Sequence, residues 1–310
     1  MTASSLAYGT RQTDEKLERN QQKVLSLADY VGKRENFADL SIEPYAPVAG
    51  ATIRGLRITR NGEIGADVRQ FLYQRLLRYG FLVFEPGTVS GEDFGLLVNL
   101  FGHAEYSGTP FTPPPAENPQ INTIDSKIKK TRMNFIWHID QGFRAVLPRF
   151  TALFAKTVPP VGGDTLFSNA VAAYDLLDPR FAAYLDSLVA VYDIDAQGYL
   201  SLAYQDPAER ERQRKKYPPI EAPLIRVHEE TGKKQIYANE VYTQRILGLS
   251  RTASDALLAI LFEQIKLPEV QARVAWHEGA AVIWDNRIVQ HKGVSDYGDG
   301  HRVLHRAIID

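Results

Sequence analysis

In the segment NFIWHIDQGF an imidazole, His138, and a carboxylate, Asp140, stand two residues apart. Alternate side chains of an extended segment leave the same face, so these two groups can converge on one point. Alone, a His-x-Asp pair is weak evidence, because a surface hydrogen-bonded pair has the same spacing. The apolar run AAVIWDNRIVQH, which reads as a core segment, ends much later on a second imidazole, His291. Two histidines and one carboxylate on a rigid β scaffold make the facial triad of Fe(II) oxygenases, which leaves three coordination positions open. Chemistry happens at those open positions.

A third feature is independent of the first two. In HRVLHRAIID, alternation puts Arg302, Leu304 and Arg306 on one face and His301, Val303 and His305 on the other. If the arginine face is interior, its charges need partners, and a bound carboxylate held bidentately supplies one. A dicarboxylate cofactor is therefore expected. The bland alternatives are a surface pair at His138 and Asp140, a capping role for His291, and an exposed Arg302–Arg306 ladder paired with acidic neighbours.

Such groups need a scaffold, and the sequence around them is rich in short strand-like runs. ATIRGLRIT alternates as a strand does; GADVRQFLYQRLLRYG then carries apolar residues at helical spacing and ends on Gly80. FLVFEP reads as a buried strand, and RFTALFAKTV, LIRVHE, QIYANE, AAVIWDN and RVLHRAIID are equally short and bounded by turn residues. They predict a β-rich α/β core with peripheral helices. Residues 1–45 are expected to be an N-terminal helical extension, with Leu17, Val24, Leu27 and Ala28 on a weak apolar stripe, and 46–310 the functional domain. The proline-rich stretch 107–119 is a loop or flap. DPAERERQRKKYPP is most simply a solvated helix, with a lid over the site as the other reading.

Composition narrows the chemistry further. A chain of 310 residues with 44% hydrophobic content can fill one sizeable core. It has no cysteine, which excludes disulfides, thiolate nucleophiles and thiolate-bound metal, so any metal must sit on His, Asp or Glu. Lys and Arg total 36 against 37 Asp and Glu, without long one-signed blocks, so neither a nucleic acid nor a membrane surface is the expected partner. The N-terminus lacks the features of a secretory signal and no stretch is long enough to span a bilayer, so a cytoplasmic location is expected.

The ordered blocks WHID, VGGDTLFSNAVAAYDLL, IWDNRIVQHKGVSDY and HRVLHRAI resemble the taurine dioxygenase and 2,4-dichlorophenoxyacetate dioxygenase family. The resemblance runs from about Ala51 to the C-terminus and implies a double-stranded β-helix, a jelly-roll core buttressed by helices. It implies Fe(II) on His138, Asp140 and His291, and 2-oxoglutarate held by Thr165 and Arg302, with O2 as the other co-substrate. Arg306 and Asn134 match substrate-binding positions, and Tyr106 and Tyr242 are candidate pocket walls. The departures fall in the substrate pocket: Glu105, Tyr106 and Ser107 stand where the taurine enzyme has histidines, Tyr242 where it has phenylalanine, and Ile194 where it has another aromatic.

The expected activity is hydroxylation of a small anionic organic substrate, with release of succinate and CO2. The same cofactor chemistry could instead desaturate, epoxidise or cyclise a substrate in a natural-product tailoring pathway. A non-catalytic dicarboxylate-binding module has no need of an open iron face, and a metal-dependent hydrolase would leave Arg302 without a task. Family members often self-associate, so a homo-oligomer is a further expectation.

Overall fold

The computed structural model describes residues 27–105, 120–128 and 132–310. The N-terminal stripe residues Leu17 and Val24, the stretch 107–119 and Tyr106 lie outside the described residues. Residues 35–44 depart from the helical extension expected there. They form strands β1 (Glu35–Phe37) and β2 (Leu40–Pro44), which pair with each other and, through β2, with β3 (Ala51–Arg54). The cause is a period of two, Leu40 and Ile42, both buried by that pairing. Leu27–Tyr30 is a single 3-10 turn.

The helix Ala66–Tyr79 forms as its periodicity predicts, burying Leu72, Leu76 and Tyr79. Gly80 ends it at φ 78°, a conformation that favours glycine, and a Cβ there would come within 2.8 Å of Val289. Next come β4 (Phe81–Phe84), β5 (Asn122–Asp125), β6 (Phe150–Thr157) and β7 (Thr165–Asn169). The smaller strands β8 (Val189–Tyr192), β9 (Ile220–Pro223), β10 (Ile225–Val227), β11 (Lys234–Ile236) and β12 (Thr243–Ile246) follow. The chain closes with β13 (Gln271–Val274), β14 (Ala281–Asp285), β15 (Val289–Gly293) and β16 (Val303–Ile309).

Eight strands make one sheet in the order β1-β2-β3-β4-β14-β6-β16-β5, and a second sheet is β13-β7-β15. β8 lies between β12 and β9, and β10 pairs with β11. The large sheet is apolar on both faces, and alternation sorts its side chains into two cores. Leu82, Phe84, Phe150, Ala152, Ile283 and Ala307 join the helix Ala66–Tyr79 on one side. On the other side Phe81, Leu153, Ala155, Val282, Trp284 and Leu304 meet the three-stranded sheet. Phe81 stacks on Phe167 of β7 at 4.5 Å across that gap.

The residues between β7 and β8 cover the three-stranded sheet. Asn169 caps the helix Ala170–Asp175 by accepting from Val171 N and Ala172 N, and its amide donates to Val48 O at 2.7 Å. The charge run forms the helix Pro207–Lys216, which buries none of its residues, as a solvated helix should. Among the described residues no helix is long and apolar enough to cross a membrane.

Candidate functional site

His138 and His291 reach the site through a two-bond bridge. His138 N donates to His291 O at 3.1 Å and His291 N to His138 O at 2.9 Å, which ties the loop bearing His138 to β15. The chain then turns at Gln141, whose φ of 53° is uncommon for a residue other than glycine, directly after Asp140. Gly293 allows the approach on the other side, where a Cβ would come within 3.2 Å of Asn134 O. Sequence-distant groups are thus fixed by backbone bonds rather than by side-chain contact alone.

The ligand-capable atoms of His138, Asp140 and His291 all lie within 4.8 Å of one another, and all three residues are buried. His138 Nε2 stands 3.7 Å from Asp140 Oδ1 and His291 Nε2 stands 4.0 Å from Asp140 Oδ2. Both separations are too long for hydrogen bonds. Asp140 Oδ2 and His291 Nδ1 are buried without a hydrogen-bond partner among the described residues. A buried carboxylate oxygen left so is costly, and a cation held between the three groups removes the cost. The donor set, two nitrogens and a carboxylate oxygen on one side of a cavity, fits a divalent transition metal such as Fe(II).

The protonation states suit that task. His138 Nδ1 donates to Ile136 O at 2.7 Å, which orients the ring so that Nε2 faces Asp140. Burial, with His138 adding to it, pushes His291 down to about 3, so its imidazole is neutral at physiological pH. Burial acts to raise Asp140, but the neighbouring His138, His291 and Arg306 outweigh it and hold the carboxyl far below the usual range. The His291 ring is packed between Trp284, 4.6 Å away, and Phe167, 6.0 Å away.

Thr165, Arg302, Arg306 and Asn134 line the same cavity as the triad. Arg302, just before β16, and Leu304 and Arg306 on it all line the cavity, on the shared face that the sequence predicts. Arg302 Nε donates to Gly163 O at 2.8 Å, which orients the guanidinium. Among the described residues no carboxylate lies within ion-pair distance of Arg302. Burial pushes it down to about 10, against the raising effect of Tyr297 and Asp164. Arg306 Nη1 approaches Asp140 Oδ1 at 3.8 Å, and its Nε is buried without a hydrogen-bond partner among the described residues. The cavity therefore holds two under-compensated guanidinium groups beside three convergent donors, an arrangement that suits an anion with a carboxylate at one end.

Tyr242 packs edge-on against Phe143 at 5.0 Å, in a small cluster with Ile194 and Leu200 that also contacts Tyr217 after the solvated helix, and its buried hydroxyl is near enough to the site to feel both Asp140 and Arg306. Glu105 pairs with Arg144 at 2.8 Å. Trp284, Tyr297, Asp125 and Ser126 line the cavity and had not been singled out. Trp284 had a signal, since it stands on the core segment that leads to His291. Ser126 had none: its contact to Arg302 N at 3.0 Å follows from β5 pairing with β16, far away in the chain.

The taurine catabolism dioxygenase TauD, TfdA family matches residues 41–308. An alkylsulfatase of Acinetobacter baylyi is 34% identical over 83% of this chain and 80% of its own. An alpha-ketoglutarate-dependent sulfate ester dioxygenase of Pseudomonas putida is 29% identical over 87% of this chain and 89% of its own. The crystal structure of a taurine dioxygenase from Burkholderia xenovorans superposes with a TM-score of 0.72 at 26% identity, covering 87% of this chain and 90% of that one.

Proposed function

We propose that this chain, which belongs to the TauD/TfdA family and is an oxidoreductase dependent on Fe(II), 2-oxoglutarate and O2, hydroxylates a small organic anion, with a sulfate ester or sulfonate as the preferred class. In this reading His138, Asp140 and His291 hold the iron. Bound there, iron would supply the O2 activation that couples oxidative decarboxylation of 2-oxoglutarate, to succinate and CO2, with oxidation of a substrate C–H bond. We read 46–310 as the dioxygenase domain and its packed sheets as a double-stranded β-helix, to which residues 35–44 add two edge strands.

The observation that carries the reading is Arg302: a largely enclosed, partly exposed guanidinium, oriented through Gly163 O, with no carboxylate partner among the described residues, in the cavity that holds the triad. Arg302 binds the distal carboxylate of 2-oxoglutarate bidentately and Thr165 donates a hydroxyl proton to it. The neutral His291 imidazole need lose no proton to coordinate. Phe167, Trp284, Leu153 and Leu304 keep the surroundings dry, which strengthens each electrostatic contact and protects a reactive centre from water. Arg306 orients the substrate's anionic group, with Asn134 beside it. Its unpaired Nε and the sulfate-ester activities named for two relatives support that role.

Succinate release across a panel of alkyl sulfates, sulfonates and aryloxyacetates, read with product mass, tests the reading. A product heavier by one oxygen, or free sulfate from an ester, is expected. Loss of two hydrogens would replace hydroxylation with desaturation, and turnover independent of both O2 and 2-oxoglutarate would end the proposal.

A further inference from the structure

Thr165 opens β7, paired with Val274 on one side and Gly293 on the other, and its hydroxyl is not left to rotate freely. Trp276, just past the end of β13, directs its indole at it: Nε1 donates to Thr165 Oγ1 at 3.0 Å, with both residues buried. An indole N–H can only donate, whereas a hydroxyl carries one proton and two acceptor positions. With one acceptor position filled by Trp276, the hydroxyl proton must leave in another direction. Among the described residues no protein group is recorded accepting it, and Thr165 lines the cavity that contains Arg302.

We propose that Trp276 is a positioning residue for the co-substrate: by donating to Thr165 it commits the threonine proton as a donor into the cavity, so that this end of the site accepts a carboxylate. The inference rests on the assignment of Thr165 and Arg302 to the distal carboxylate of 2-oxoglutarate. Trp276 does not touch that carboxylate. It sets the direction and polarity of the group that does, and it is itself held in the core beside the three-stranded sheet. A terminus bearing only a donor would meet a donor at Thr165 and a cation at Arg302, and would be rejected.

The test uses the full chain loaded with Zn(II), which is diamagnetic and redox-silent, and measures binding by calorimetry. Two ligands are compared: 2-oxoglutarate, and 2-oxopentanoate, which has the same chelating end but no distal carboxylate. Trp276→Phe should weaken 2-oxoglutarate about three- to tenfold, the share of one hydrogen bond, and leave 2-oxopentanoate within about twofold. In a Thr165→Val background the same substitution should have no further effect. Equal weakening of both ligands, or fully additive losses in the double variant, would overturn the inference and make Trp276 a packing residue. Should Trp276→Phe fail to fold, the three indole N–H resonances of the wild-type chain provide the readout. The Trp276 signal, assigned through its sequence neighbours, should move on adding 2-oxoglutarate and lose that response in Thr165→Val; an unmoved Trp276 signal overturns the inference. If instead neither Thr165→Val nor Arg302→Met alters 2-oxoglutarate binding, the underlying cofactor assignment fails as well, a result distinct from the failure of Trp276 alone.

Discussion

Replacing Arg302 with methionine separates a guanidinium that waits for a ligand from one that holds the fold together. Its burial lowers its proton affinity by more than two orders of magnitude, to a pKa of about 10, which corresponds to roughly 3 kcal/mol of uncompensated desolvation. Partial exposure and loss of the bond to Gly163 O, itself worth about 1 kcal/mol, reduce the gain from removing the charge. The ligand-free variant should therefore be as stable as the wild type or more so, by up to about 2 kcal/mol. Binding should behave in the opposite sense. Truncating one partner of a buried, hydrogen-bonded charge pair costs about 2–5 kcal/mol, and a value near 3 weakens 2-oxoglutarate about 150-fold. At a concentration one hundred times the wild-type Kd, the ligand stabilises the wild type by about 2.7 kcal/mol and the variant by only about 0.3. In thermal melts of the metal-loaded protein this is a shift of about 5 °C against less than about 1 °C. A variant several kcal/mol less stable without ligand would show Arg302 to be a structural ion-pair member. One that kept the full ligand-induced shift would place the dicarboxylate elsewhere.

His138→Ala, Asp140→Ala and His291→Ala should each weaken Fe(II) by more than about 100-fold in anaerobic equilibrium dialysis and abolish succinate release, and unchanged affinity in all three would refute the triad. Arg306→Ala should raise KM for an anionic substrate about 30- to 150-fold while the KM for 2-oxoglutarate stays within about twofold, and the reverse pattern would make it a second cofactor contact. Burial, aided by Lys156, lowers the pKa of His305, so its contribution to stability is present above its unfolded value near 6.5 and is lost as pH falls through the folded one. Urea midpoints of His305→Gln should accordingly fall less steeply than wild type between about pH 6.5 and 5. Asp285 is fully buried and accepts from Arg287 Nε at 2.9 Å and from His228 Nε2 at 3.1 Å. Asp285→Asn should cost about 3–5 kcal/mol in urea unfolding, and a loss under about 1 kcal/mol would mean the network is dispensable.

The chemistry was legible wherever it rode on a short period. His138 with Asp140, and Arg302 with Arg306, declare a shared face through alternation alone, and both pairs do face one cavity. The helix Ala66–Tyr79 and strands β4, β6, β14 and β16 were equally readable, because their apolar patterns are continuous. β1 and β2 were not, since Leu40 and Ile42 give a pattern only two residues deep beside prolines that suggest a loop. Trp276 and Ser126 were hidden for another reason. Their contacts to Thr165 and Arg302 arise from pairings between strands remote in the chain, and no local spacing records them. The aromatic cluster of Phe143, Tyr217 and Tyr242 was hidden in the same way, because it gathers three segments that no local spacing connects.

β7 joins β13 and β15, and its register decides what the cavity contains. Thr165 and Phe167 serve the site, while Ser168, on the opposite side, donates to Ile265 O of a covering helix. Sliding this one strand by a single residue would exchange the two sets, losing the hydroxyl, the ring beside His291 and the helix contact together. His138, Asp140 and His291 stand on other segments, so a slipped molecule should still bind metal but not 2-oxoglutarate, and activity should scale with 2-oxoglutarate sites rather than with metal content.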